Sequence, residues 1–431
     1  IPVFDTRVSS LKRPLFVISS GDVPWNLWNN YPTQNDLFEV ENPGQAWNAI
    51  TVGACTDLVG IDGAKWPSLQ PISGVGLLSP SSTTSLLWQR RWPFKPDVVA
   101  EGGNGAIATK LGAAVTVGPE SLRLLTTSHD MTAASLCESG DTSAAAAEVA
   151  RICGHLQTRY PDYWPETIRA LVVHGAKLTV SMRAQLPLVP LKQHKEAILR
   201  RYGYGRVDYR GSANSASNRP TLILQEVITP YAKDGSAIKL KELNMHDLPW
   251  PSQQLLDLHE QSVAMRVTLS YFVEPNPSQR GWQSKFRYQA HGLRFAVKGA
   301  TETDERFGQR INKIDRDELE ADEQESMTDP DREHWFLGAH LRSRGSIHSD
   351  VWIGTAAQLA QKSHIAVFPV GGWWKDWADS QRQDVEVRYA LVVTLEVLSN
   401  LDIDLYTPIA TQIGLPIATE IAIDTDGNSK N

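Results

Sequence analysis

The stretch Ser139-Gly140-Asp141-Thr142-Ser143-Ala144-Ala145-Ala146-Ala147-Glu148-Val149-Ala150 places a serine at the start of a small-residue helix, behind a turn of small and polar residues. Chemically, that is a position for a nucleophile. A helix N-terminus offers N–H groups without intrahelical partners and a partial positive charge, and both favour a developing oxyanion. The alanines leave room for a substrate backbone. Taken alone, the same pattern also suits a serine that only caps an alanine-rich helix. The candidate bases nearby are weak: His129-Asp130 reads as an ordinary loop, and His174, in the following helix, reads as a packing residue. There is no H-E-x-x-H, no G-x-x-x-x-G-K-[ST] and no dinucleotide fingerprint, so neither a metal nor a cofactor is expected. Asp424-Thr425-Asp426-Gly427-Asn428 echoes a calcium loop, but its glycine is misplaced and no twelfth-position Glu follows.

The elements that must position Ser143 alternate in type. Leu15 to Ser19 and Ala49 to Ala54 read as buried strands, and Val98 to Ala100 as a short strand running into Gly102-Gly103. A helix is predicted from Ser143 to about Tyr160, stopped by Pro161. A second starts at Pro165, with Glu166 in its first turn, and runs to His174-Gly175. Strands alternating with helices predict an α/β layer structure. After Tyr202-Gly203-Tyr204-Gly205 the style changes. Thr221 to Ile228, Val263 to Val273, Gly292 to Val297, His364 to Val370 and Tyr389 to Val397 are β-branched or alternating runs, which predict a β-sandwich or jelly roll. The expected division is 1–212 for an α/β domain, 213–415 for a β-sandwich domain with a charged insertion near 300–335, and 416–431 for a tail. Trp373-Trp374 and Trp377 form an aromatic cluster read as packing at a domain edge, with a partner patch as the alternative.

Of 431 residues, 41% are hydrophobic and 21% charged, and the net charge is −7, a soluble globular composition that argues against a dedicated nucleic-acid binder. Three cysteines without C-x-x-C spacing are expected to be buried free thiols in a reducing cytoplasm. No apolar run is long enough to span a bilayer, and the start of the chain is no signal peptide. Neither nucleic acid nor membrane is expected as a partner.

Ser143 and its surroundings resemble the G-T-S-x-A-A-P-x-V-A motif of the subtilisin-like serine proteases, the subtilases, with Thr142-Ser143 and Val149-Ala150 in place. Phe16-Val17-Ile18-Ser19-Ser20-Gly21-Asp22 resembles V-x-S-A-G-N. Asn48-Ala49-Ile50-Thr51-Val52-Gly53-Ala54 resembles A-I-T-V-G-A, and Lys95-Pro96-Asp97-Val98-Val99-Ala100 resembles K-P-D-V-x-A-P-G. Pro165 to Leu171 and Gly203-Tyr204-Gly205-Arg206-Val207 follow in the family's order. The resemblance implies a subtilisin-like, three-layer parallel-sheet core whose amino-terminal part lies outside this sequence. It further implies acyl transfer to Ser143, an oxyanion hole with Asp22, and a polypeptide substrate held near Ser19, Ser20 and Gly21.

Three departures accompany it. Asp22 stands where the family has Asn, and an ionised carboxylate cannot donate to an oxyanion. In subtilisin, the enzyme from which the magnitude comes, loss of that donor slows turnover by about two to three orders of magnitude. Asp141 and Ala147 replace the motif's Gly and Pro. The family's catalytic Asp and His belong to earlier blocks, and no D-[ST]-G or H-G-T block occurs here. The second half is similar too: Met265 to Tyr271 with Pro275 and Pro277 resembles the R-V-T-L-x-W-x-D-P-P strand of a jelly-roll domain that follows many subtilase cores. Met265 to Trp282 and Gly345 to Trp374 resemble a bacterial intracellular subset often paired with an ATPase partner in anti-phage systems. Two functions are therefore expected: a serine endopeptidase acting through Ser143, or an inactive relative serving as a protein-binding or regulatory module.

Overall fold

The computed structural model describes residues 14–108, 115–116, 118–215, 218–235, 237–277, 287–313, 329–377, 382–399 and 403–413. The elements used below are, in chain order, strands β1 (Val17–Ser19), β2 (Ile50–Thr56), β3 (Val98–Glu101), β4 (Leu124–Thr127) and β5 (Leu136–Ser139). Then come helices α1 (Asp141–Arg159), α2 (Pro165–Gly175), α3 (Val180–Arg183) and α4 (Lys192–Tyr202). The remainder is β6 (Thr221–Ile228), β7 (Asn244–Asp247), β8 (Ser262–Tyr271), β9 (Gly292–Val297), α5 (Asp304–Lys313), β10 (Ile347–Thr355), β11 (His364–Val370) and β12 (Val387–Val397).

In the first half β1, β2 and β3 form a parallel array, with Val17 opposite Ile50 and Val52 opposite Val98. All seven residues of β2 are buried, because both faces of a parallel sheet are covered. On one face α1 presents Ala145, Val149, Ile152 and Leu156, a helical stripe that packs on Ile50, Val52, Ala54, Val98 and Ala100. On the other face Cys55 and Val99 meet Met182 of α3 and Ile198 and Tyr202 of α4. This is the expected helix–sheet–helix layering.

The second half holds two antiparallel sheets, ordered β6-β12-β8-β10 and β7-β11-β9, which share a core of residues such as Val267, Leu391, Phe295 and Val367. The strand runs at 221–228, 292–297 and 364–370 fall where the residue pattern put them. Strand β10 was not foreseen, because its buried His348, Ser349 and Asp350 hide the apolar alternation. The charged stretch begins with α5, which turns Phe307 and Ile311 inward against Ala296, Ala366 and Phe368; residues 314–328 of it, and Asp424 to Asn428, lie outside the described residues.

The two halves are joined through α2, in which ten of eleven residues are buried. Arg169, fully buried, donates to the carbonyls of Trp47 (2.6 Å), Tyr271 (3.3 Å) and Ser346 (3.3 Å). His174 sits between the hydroxyls of Thr268 (2.9 Å) and Thr394 (2.6 Å). Arg266 of β8 donates to the carbonyls of His174 and Ala176 at the end of α2, a favoured place for a cation. Trp373 and Trp374 are buried in the second core and Trp377 is partly exposed. Cys55 is buried, whereas Cys137 and Cys153 are only half-buried; all three thiols are free. Among the described residues no helix is long and apolar enough to cross a membrane.

Candidate active site

Ser143 is the third residue of α1 and is exposed. The turn before it is held from three directions. The Asp141 N–H donates to the Gly102 carbonyl at 2.7 Å. Asp141 has φ 65°, a left-handed conformation rare outside glycine; its carboxylate takes two bonds from the Arg123 guanidinium, at 3.2 and 3.3 Å, which fixes the side chain on the turn. Thr142 is buried and its hydroxyl lies 3.1 Å from the Gly21 carbonyl and 2.8 Å from Asp22 Oδ1.

Gly102 has no alternative. A Cβ there would lie 2.4 Å from Ala54 Cβ and 2.9 Å from the Asp141 carbonyl oxygen, so the end of β3 approaches the turn before Ser143 as only glycine allows. Below it, Lys95 and Asp97 form a buried ion pair at 2.5 Å. Asp97 also accepts from the Thr51 N–H at 2.7 Å, and Lys95 donates to the Ala49 carbonyl at 3.1 Å. Burial pushes the Lys95 ammonium down to about 8, against the pull of Asp97. The pair ties β2 to the entry of β3, a positioning role for the Lys-Pro-Asp block.

Asp22 lies beside the N-terminus of α1, with Oδ1 accepting from the Thr142 N–H at 2.9 Å as well as facing its hydroxyl. Desolvation raises its carboxyl above the ordinary value; the Thr142 hydrogen bonds pull the other way. In this geometry Oδ1 is an acceptor, and only a proton on Oδ2 would turn Asp22 into a donor. Ser19 is half-buried in β1, in register with Val52. Ser20 is buried, and its main chain is used internally: its N–H donates to Val52, and its carbonyl accepts from the Glu41 N–H and the Thr83 hydroxyl. Gly21 has φ 98°, with Glu41 packed where a side chain would go.

The structure thus brings Ser143, Asp22 and Gly21 to one place around Thr142. It does not bring His129 or Asp130 there: both stay exposed in the loop between β4 and β5, where Asp130 bonds to Thr132. His174 faces the second half of the chain. Arg123 and Gly102 were not singled out from the sequence; nothing in their local spacing ties them to Ser143. Along the outer face of α1 a cavity of about 610 Å³ is lined by Ala144, Ala147, Arg151, Glu101 and Leu125. Among the described residues no group of His, Cys, Asp and Glu could hold a metal ion.

A serine on the first turn of a helix laid across a parallel sheet, with the helix N–H groups beside it, is an arrangement that suits a nucleophile and a developing oxyanion. Residues 7–205 match the model of the subtilase family, Peptidase_S8. No curated protein matches the chain. Among solved structures it is similar to MycP1 from the ESX-1 type VII secretion system, at 16% identity over 47% of this chain and 42% of that one, with a TM-score of 0.23. MycP1 from Mycobacterium smegmatis gives the same figures. MycP1 with its N-terminal propeptide removed gives 16% identity over 46% and 50%, with a TM-score of 0.22. The chain spans half or less of the length of these structures.

Proposed function

We propose that the chain carries the nucleophile of a serine endopeptidase. Ser143 Oγ attacks the peptide carbonyl and passes its proton to a general base; the C–N bond breaks, the amine takes that proton and leaves, and water hydrolyses the Ser143 ester. The base and its orienting acid come from outside the described residues, and the substrate chain runs along Ser19 to Gly21. The observation that supports this most is the exposed Ser143 on a turn fixed by Gly102, Arg123 and Asp22. From the family resemblance we further place the activity in the bacterial cytoplasm, in phage defence with an ATPase partner or in regulated proteolysis, and read the second half as a jelly-roll-like domain. A second reading, an inactive binding module, is favoured by the acceptor geometry of Asp22. Fluorophosphonate labelling of the native protein with its partner, beside Ser143→Ala, decides between them. Labelling lost in the variant supports the peptidase; folded protein that never labels supports the module.

A further inference from the structure

A carboxylate is set against the wall formed by Ser19 to Gly21. Gly21 has φ 98°, and a Cβ there would lie 2.7 Å from Glu41 Cγ and 2.8 Å from its Cδ. The stem of Glu41 therefore fills the space that the glycine leaves open. Residue 41 is fixed through its main chain on both sides. Its N–H donates to the Ser20 carbonyl at 2.9 Å, and its carbonyl accepts from the Gly44 N–H at 2.8 Å. Val40 before it is buried, and its N–H donates to the Thr84 carbonyl at 3.1 Å.

The carboxylate takes no part in this anchoring. Glu41 is exposed, and among the described residues no hydrogen bond or ion pair engages its side-chain oxygens. Cations on the neighbouring elements are committed elsewhere: Arg123 to Asp141, Arg201 to Asp36 and Lys95 to Asp97. Asp22 follows Gly21, and exposed Glu39 precedes Glu41 by two residues, so the fixed charge beside the wall is negative. Gly21 links this carboxylate to the nucleophile. Its carbonyl lies 3.1 Å from the Thr142 hydroxyl, one residue before Ser143, and its open side faces Glu41. An ionised carboxylate only accepts hydrogen bonds. The substrate group that satisfies it is a long side chain ending in a cation, its aliphatic stem lying along Gly21.

We propose that Glu41 is a specificity-determining residue, selecting polypeptides that carry Lys or Arg beside the scissile bond, on its acyl side. This inference rests on the peptidase reading of Ser143 and names its substrate class.

The test compares rates of Ser143 modification in the protein with its partner present. The probes are aryl phosphonate esters of lysine, leucine and glutamate analogues, each rate divided by that of a small neutral fluorophosphonate. The lysine probe should outpace the leucine probe by about fivefold or more, the gain of an ion pair at an exposed site, and the gap should narrow with added salt. Glu41→Gln should bring the two rates together, Glu41→Asp should keep part of the gap, and Glu41→Lys should favour the glutamate probe. A merely structural Glu41 would move all the probes alike. Glu226→Gln, at an exposed carboxylate of β6, should keep the parental ratio. Equal lysine and leucine rates in a parent that the fluorophosphonate labels, or a parental ratio in Glu41→Gln, overturn this inference and leave the peptidase reading standing. A folded parent that no probe labels overturns that reading, and this inference with it.

Discussion

Asp22→Asn separates the two readings of the site most sharply. In the parent, Oδ1 takes both donors of Thr142, at 2.9 and 2.8 Å. An amide oxygen can take the same two bonds, leaving Nδ2 on the side where the carboxylate had its second oxygen. The substitution therefore keeps the turn and adds the donor that an oxyanion needs. One such donor is worth about 10²- to 10³-fold in rate, so fluorophosphonate labelling of Ser143 at neutral pH should accelerate by up to about that factor. Stability should barely move. The folded-state pKa of Asp22 is raised, so the folded protein binds its proton more tightly than the unfolded chain does. The ionised form therefore carries no net stabilisation at neutral pH, and removing the charge costs at most the weak attraction to the helix N-terminus, about 1 kcal/mol or less. The pH dependence follows. Parental Asp22 donates only when protonated, so the ratio of variant to parent rates should be largest at neutral pH and shrink as pH falls toward the Asp22 pKa. A variant that labels no faster than the parent, or a ratio flat with pH, refutes Asp22 as the oxyanion-hole residue.

The remaining predictions concern the supports of the site. Gly102→Ala should press on the Asp141 carbonyl and Ala54, costing about 1–3 kcal/mol in denaturant unfolding and displacing Ser143 enough to slow labelling by about tenfold or more; unchanged labelling would free the turn from Gly102. Lys95→Met leaves Asp97 buried and unpaired and should cost about 3–5 kcal/mol. Arg169→Met removes a donor from three carbonyls where the halves meet. The Ser346 carbonyl keeps the Tyr271 N–H and the Trp47 carbonyl keeps the Ser346 hydroxyl, so the loss should be about 1–3 kcal/mol, and a loss well under about 1 kcal/mol would mean that Arg169 does not join the halves. His174 and His348 are buried and held well below their ordinary pKa by desolvation. The unfolded chain binds protons there that the folded one does not, so stability is full above about pH 6.5 and each residue removes up to about 1.4 kcal/mol per pH unit below it. His174→Asn should flatten that slope in pH-dependent unfolding.

The parts of the structure that local sequence determines were legible. The run Ala49 to Ala54 read as a buried strand, and the stop at Pro161 and restart at Pro165 bounded α1 and α2 within two residues. The turn and helix around Ser143 were legible because one short stretch carries both. What escaped was whatever depends on surfaces meeting across the chain. On α2, Glu166 and Arg169 are charged residues that in the structure are buried, paired with Arg388 and with three carbonyls respectively, while His174, read as a packing residue, is buried between two threonines. The β10 strand was hidden for the same reason, since Asp350 is buried by accepting the Leu337 and Gly338 N–H groups. Asp22 was identified as a departure, but not its direction, since a sequence does not say which way a carboxylate faces.

That direction changes what activation requires. Every tether on the nucleophile turn acts on a neighbour of Ser143: Gly102 and Arg123 on Asp141, Gly21 and Asp22 on Thr142. The serine is thus placed before any base arrives, and positioning alone does not make it reactive. On the proposed peptidase reading two things remain to be supplied, a base for the Oγ proton and a donor for the oxyanion. The base comes from outside the described residues, and Asp22, the proposed donor, is already in contact with the turn and lacks only a proton. A partner or substrate that buried Asp22 further would raise its pKa again, turning an acceptor into a donor at neutral pH. On this reasoning, closure over Asp22 and completion of the site are one event, and Asp22→Asn should make labelling less dependent on the partner than it is in the parent.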